Sequence, residues 1–168
     1  MVILGIDPGN VRTGYGLIRK EGSKLVHLKS GLIKIPPRAD PGIQLLALEK
    51  NLMKLLGEVR PDVVGMEKIF ITKNKKTGVF VAQARGLILK IIAEYRLRLL
   101  ELTPSSIKLS VTGYGRADKK AVAKMVGMFL NIKTAGLLDD ETDALATAIA
   151  TSSRTVDPAP FENHISEK

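Results

Sequence analysis

The chain contains no cysteine. That removes disulfides, thiolate metal sites and cysteine nucleophiles together. Histidine is nearly absent too. His27 and His164 alone could supply imidazole, so a multi-histidine zinc centre is not expected. Long apolar runs are also missing. The opening run spans only residues 2–6 and meets Asp7 and Pro8 at once, which does not read as a signal peptide. No stretch approaches the roughly 20 apolar residues that a bilayer span requires. These absences lead to the expectation of a soluble, cytoplasmic protein. Glutamine is scarce, with two residues, and asparagine is limited to five, which fits a heat-adapted host.

Acidic residues are in deficit. Lysine and arginine total 26 against 17 aspartates and glutamates, giving a net charge of +9. Such an excess favours a polyanionic partner such as nucleic acid, although a merely basic protein has the same balance. At 168 residues the chain suits one domain with a real core. We expect that domain over residues 1–153 and a polar, proline-bearing tail over residues 154–168.

Residues 2–7 form a short, almost wholly apolar strand ending in Asp7, and continuous apolarity points to burial on both faces. Residues 13–19 and 24–35 read as the next two strands of a meander, joined by Glu21, Gly22 and Ser23. Helical spacing covers residues 43–56 and is expected to stop at Gly57. Residues 62–67 make a second apolar strand ending in an acid. Residues 68–78 look like a basic loop. The longest helix is expected over residues 79–96, apolar on most sides and therefore buried on more than one. A fifth strand covers residues 98–102. Short helical character follows at 105–110, then the Gly113-Tyr114-Gly115 loop. Asp118 is placed to cap a helix running to Leu130. A last helix starts near Asp139 or Asp140 and runs to Ser152. The order predicts an α/β fold with one five-stranded mixed sheet. Strands one to three would be an antiparallel meander, strands one, four and five parallel, with helices on both faces.

Asp7 and Glu67 both close apolar strands. If those strands are parallel neighbours their carboxylates lie side by side, where functional groups of α/β sheets gather. Asp140 and Asp143 are three residues apart at a helix start and share one face. Any one of these acids could simply cap a turn or favour a helix N-terminus. Four at compatible places suggest a site. Clustered carboxylates need a cation, and oxygen-only ligands suit Mg²⁺. Two ions, with Mn²⁺ as a plausible substitute, would activate a water and stabilise the leaving oxygen in phosphodiester hydrolysis.

Several segments carry a family likeness. Gly5-Ile6-Asp7-Pro8-Gly9 with Thr13-Gly14-Tyr15-Gly16, Glu67-Lys68-Ile69-Phe70 with Asn74, Gln83-Ala84-Arg85-Gly86, and Asp140-Glu141-Thr142-Asp143-Ala144-Leu145-Ala146 occur in this order. Together they resemble the RuvC family of bacterial Holliday-junction resolvases over residues 1–153. The resemblance implies an RNase H-like fold and paired, symmetric nicks across a four-way DNA junction in recombination and repair. It implies that Asp7, Glu67, Asp140 and Asp143 bind the metal and are catalytic. It also implies a homodimer and a branch-migration helicase complex as partner.

Lys68, Lys73, Lys75 and Lys76 follow Glu67 with no acid between them, and Lys108, Arg116, Lys119, Lys120 and Lys124 form a second basic run. Such residues supply phosphate affinity, or are only solvated charges. The resemblance singles out Lys108 and Lys119 as lysines near the scissile phosphate, with Lys119 counted as catalytic. Phe70 is expected to stack on or wedge between bases. Arg85 would either bind phosphate or pair with an acid. Ala82, Gly86 and Ala93 allow close approach on the long helix, whose apolar surplus would face a second subunit in an isologous C2 dimer.

Three other readings remain open on sequence grounds. An ATP-dependent phosphotransferase of the actin and sugar-kinase type shares the opening Gly-Ile-Asp-x-Gly strand but needs two such domains. Another RNase H-like nuclease could act on RNA or RNA–DNA hybrids. A non-catalytic junction-binding module would need none of the four acids.

Overall fold

The computed structural model describes residues 1–68 and 75–155, the side chains of residues 75–77 excepted. The elements are β1 (Val2–Asp7), β2 (Arg12–Glu21), β3 (Lys24–Lys34), α1 (Pro41–Val59), β4 (Val63–Glu67), α2 (Lys75–Glu94), β5 (Arg98–Leu102), α3 (Pro104–Thr112), α4 (Lys119–Leu130) and α5 (Asp139–Ser152). Among the described residues the strands form one five-stranded sheet in the order β3-β2-β1-β4-β5. The β1/β2 and β2/β3 pairs are antiparallel, and β1/β4 and β4/β5 are parallel. The expected meander and parallel half are both borne out. β1 and β4 lie inside the sheet, and their interior residues are all buried. β3 is an edge strand with exposed lysines at 24, 29 and 34, charges of the kind that discourage pairing with another chain.

Alternation along the strands divides the core. Leu4, Ile6, Val64 and Met66 face α1 and α2, packing with Leu48, Leu52, Ile88 and Ile91. Ile3, Ile18 and Val63 face the opposite way, packing with Ile107, Val122, Val126 and Leu145 from α3, α4 and α5. α5 lies directly on the sheet because the strands beneath it carry glycine. A Cβ on Gly5 would stand 2.0 Å from the Ala144 carbonyl oxygen, and one on Gly14 would stand 1.9 Å from the carbonyl oxygen of Asp140. Gly14 pairs with Asp7, so the first turn of α5 sits over the C-terminal end of β1.

Some boundaries differ from expectation. Gly57 does not stop α1. The helix continues to Val59 and ends where Arg60 turns left-handed at φ 40°, its N–H bonded to the Leu56 carbonyl at 3.0 Å. Glycine weakens a helix interior but ends it only where the chain needs a positive φ. Residues 75–78 are not loop. α2 starts at Lys75, before its apolar periodicity becomes visible at Val79, since lysine is a good helix former without being apolar. The helix ends at Glu94, and Arg96 has φ 53°. Asp118 caps α4 as expected, its carboxylate accepting from the Ala121 N–H at 2.7 Å. Beyond α5, Thr155 is buried, and Lys20 donates to the carbonyls of Ser152 at 2.7 Å and Thr155 at 3.4 Å. The rest of the expected tail lies outside the described residues. No described helix is long and apolar enough to cross a membrane.

Candidate active site

Asp7 and Glu67 are the last residues of β1 and β4, one position beyond the final parallel pair Ile6–Met66. Counting back by twos, Asp7 shares a strand face with Gly5 and Ile3, and Glu67 with Gly65 and Val63. That is the face covered by α5. Asp140 and Asp143 stand in the first turns of α5 above this edge. The four acids expected from sequence therefore meet at one end of one sheet face.

Their electrostatics show the proximity. The Asp7 carboxyl is pushed up to about 7, by burial first, then by the negative charges of Asp143, Glu67 and Asp140, with Lys119 opposing. Burial and Asp143 raise Glu67, while Lys108 and Lys119 pull it down. Asp143 is raised by burial, opposed by Lys119, and raised further by Asp139 and Asp140. Burial and mutual repulsion thus disfavour the ionised forms of these acids, and a cation placed among them would favour those forms. A cleft of about 170 Å³ is lined by Glu67, Asp143, Lys108 and Lys119, with Ile107 and Val122 among its apolar walls.

Two participants were not singled out from sequence. Arg12, at the start of β2, forms an ion pair with Asp140. Asp139, noted only as a helix boundary, receives the Lys119 ammonium at 3.1 Å, and that ammonium also stands 3.6 Å from Asp143. The meander gave a signal for Arg12. Pairing Asp7 with Gly14 places residues just before Gly14 beside the acidic end of β1.

The donor set fits a hard divalent cation in its chemistry. It is all oxygen, it is partly buried, and burial together with three neighbouring carboxylates raises the proton affinity of Asp7. As the side chains stand, no three described acids converge tightly enough to grip one ion. Asp140 is turned to Arg12, and Asp143 lies near Lys119.

The basic residues fall into groups. Lys108 and Lys119 border the cleft. Arg116, Lys120 and Lys124 are exposed on the loop before α4 and on α4 itself, and Lys68 is exposed just past Glu67. Phe70, Lys73 and Asn74 lie outside the described residues. Lys75 and Lys76 open α2, and their side chains lie outside the described set. Of the two expectations for Arg85, the pairing with an acid is the one observed. Its guanidinium is half-buried, forms an ion pair with Glu101 and donates to the Glu67 carbonyl at 3.2 Å.

This sheet order, with acids at two neighbouring strand ends and on the helix laid across them, defines an RNase H-like protein with an acidic site. The chain belongs to the RuvC family: the family model described as "Crossover junction endodeoxyribonuclease RuvC" matches residues 3–151. The Syntrophomonas wolfei protein of that name is 42% identical over 149 residues, covering 89% of this chain and 87% of that one. Its Thermosipho melanesiensis counterpart is 41% identical over 148 residues, covering 88% of this chain and 94% of the relative. Among solved structures, Thermus thermophilus RuvC in complex with a Holliday junction substrate superposes with a TM-score of 0.84 at 28% identity, covering 90% of this chain and 93% of that chain.

Proposed function

We propose that this chain is a divalent-metal-dependent endonuclease that resolves four-way DNA junctions by paired, symmetric nicks. The observation that carries the reading is the four-acid cluster at the ends of β1 and β4, beside two lysines and within a protein of charge +9. Membership of the RuvC family supports the same substrate class. Asp7, Glu67, Asp140 and Asp143 would hold Mg²⁺, two ions per site, with Mn²⁺ as substitute. Bound there, the metal supplies charge stabilisation and an activated water for in-line attack on phosphorus. The protein's own residues do the rest. Lys108 and Lys119 bind the phosphate that enters the cleft and offset charge on its oxygens in the transition state. Arg116 and Lys120, exposed around the Gly113 loop, hold the flanking backbone. Phe70 is proposed to stack on or wedge between bases at the junction centre, and Lys73, Lys75 and Lys76 to contact phosphates.

Symmetric cutting needs two sites, and we propose an isologous homodimer joined through α2. Its core side is closed by Ala84, Ile88 and Ile91, while Val79, Ala82, Gly86 and Ala93 remain exposed. Action in the cytoplasm, alongside a branch-migration helicase complex, belongs to the same proposal. The decisive test compares nicking of a synthetic four-way junction, a plain duplex and an RNA–DNA hybrid, each with and without Mg²⁺. Paired nicks on the junction alone, only with metal, are expected. Preferential cutting of the hybrid would overturn the junction reading.

A further inference from the structure

Arg85 reaches the acidic site from behind. It belongs to α2, on the sheet face opposite α5, and touches none of the four carboxylates. Its Nη1 donates to the main-chain carbonyl of Glu67 at 3.2 Å. Its Nη2 is paired with Glu101, on β5, whose neighbour across the β4/β5 ladder is Met66. One guanidinium thus links a helix and two strands at the last residue of β4.

That carbonyl needs a partner. Pairing between β1 and β4 ends at Ile6 and Met66, one position short of Glu67. On the other side, the Lys68 N–H donates to the Leu102 carbonyl at 2.7 Å. The peptide group joining Glu67 and Lys68 is therefore held at both polar atoms, by β5 at its nitrogen and by Arg85 at its oxygen. A planar fork with donors in fixed directions can bond a carbonyl and a carboxylate at once, which a lysine ammonium on a flexible stem does poorly. Fixing this peptide plane fixes the direction in which the Glu67 side chain leaves the strand. Glu101 supplies the charge that holds the half-buried guanidinium in place.

We infer that Arg85 is a positioning residue. Anchored by Glu101, it holds the main chain of Glu67 so that the carboxylate is presented to Asp7 and Asp143, and it makes α2 a determinant of the acid's placement. This rests on the reading of Glu67 as a site carboxylate. Groups that orient a metal-binding residue without touching the metal typically change metal affinity or activity by about 10–100-fold.

The test uses the full chain with Arg85→Ala, Arg85→Lys, Glu101→Gln and, as a reference, Glu67→Gln. Mn²⁺ affinity is measured by calorimetry without DNA. Junction affinity is measured in EDTA, single-turnover cleavage across a Mg²⁺ series, and folding by thermal melting. Arg85→Ala is expected to bind junction within about threefold of wild type while losing roughly tenfold or more in Mn²⁺ affinity and cleavage rate. Arg85→Lys should recover part of the loss, and Glu101→Gln should show a smaller loss of the same kind. Should Arg85→Ala fail to fold, Glu101→Gln decides by the same criteria. Unchanged Mn²⁺ affinity and cleavage in a folded variant would overturn the inference, as would a loss confined to junction affinity and its salt dependence. If Glu67→Gln itself binds Mn²⁺ and cleaves normally, the reading of Glu67 fails, and the positioning role fails with it.

Discussion

The Lys119 ammonium stands 3.1 Å from Oδ2 of Asp139 and 3.6 Å from Oδ2 of Asp143. A cation from the start of α4 thus meets the first turns of α5, and it lowers the proton affinity of Asp7, Glu67 and Asp143. Removing it with Lys119→Ala should slow cleavage by about 100–1000-fold, the scale of one lost charge-stabilising group. The acid limb of the pH–rate profile should move to higher pH, because the three carboxylates lose a cation that favours their ionised forms. The salt slope of junction binding should fall by about one. A slope equal to wild type would place Lys119 away from the DNA backbone.

Asp7→Asn should separate binding from chemistry. The amide keeps the side-chain shape and leaves Lys108, Arg116, Lys119 and Lys120 intact. Junction affinity should stay within a few-fold, while cleavage drops by about a thousandfold or more through loss of a metal ligand. Gel-shift binding in EDTA and a single-turnover assay in Mg²⁺ measure the two quantities.

The same residue sets a pH dependence of stability. Burial and the neighbouring acids push the Asp7 carboxyl up to about 7 in the folded chain, from an ordinary value of 3.8 when exposed. Between those values the folded state keeps a proton that the unfolded state has lost, so stability falls as pH rises through the window. The full effect is at most about 4 kcal/mol. Urea unfolding in EDTA at pH 5 and pH 8 should show the loss in wild type. Asp7→Asn, or saturating Mg²⁺, should flatten it.

Gly5→Ala should destabilise by about 3 kcal/mol, because the new methyl would meet the Ala144 carbonyl at 2.0 Å and backbone cannot step aside. Any folded fraction should also cleave slowly, since a lifted α5 carries Asp140 and Asp143 away from Asp7. Denaturant midpoints and cleavage per folded molecule check both parts.

Gly86 offers the opposite case. A Cβ there meets nothing within 4 Å in the single chain. Gly86→Ala should therefore stabilise the subunit by about 0.5–1 kcal/mol. Gly86→Glu should leave the subunit folded and shift sedimentation at micromolar concentration from dimer toward monomer. A wild type that sediments as a monomer would sink the α2 interface.

Much of this was legible in the sequence, for definite reasons. β1 and β4 announced themselves because they are buried on both faces, so nothing interrupts their apolar runs before Asp7 and Glu67. Asp118 could be named as a cap because its bond to the Ala121 N–H is local in the chain. The start of α2 was hidden because side-chain periodicity reports burial, while main-chain bonding begins earlier. Arg12 and Arg85 were the harder cases. Whether an arginine meets Asp140, Glu101 or a phosphate depends on contacts between residues far apart in sequence, which spacing does not encode.

The tie between Lys20 and the end of α5 has a practical consequence. The acids ride on the first turns of that helix, whereas Ser152 closes it 13 residues beyond Asp139, about 20 Å along the axis. Met1 is at the same pole, its amino group and carbonyl bonded to Lys20 at 3.2 Å and 2.8 Å. A fluorophore or surface tether attached at Met1 or just past Thr155 would therefore start remote from the cleavage chemistry. That pole is the natural handle for watching a single junction being cut.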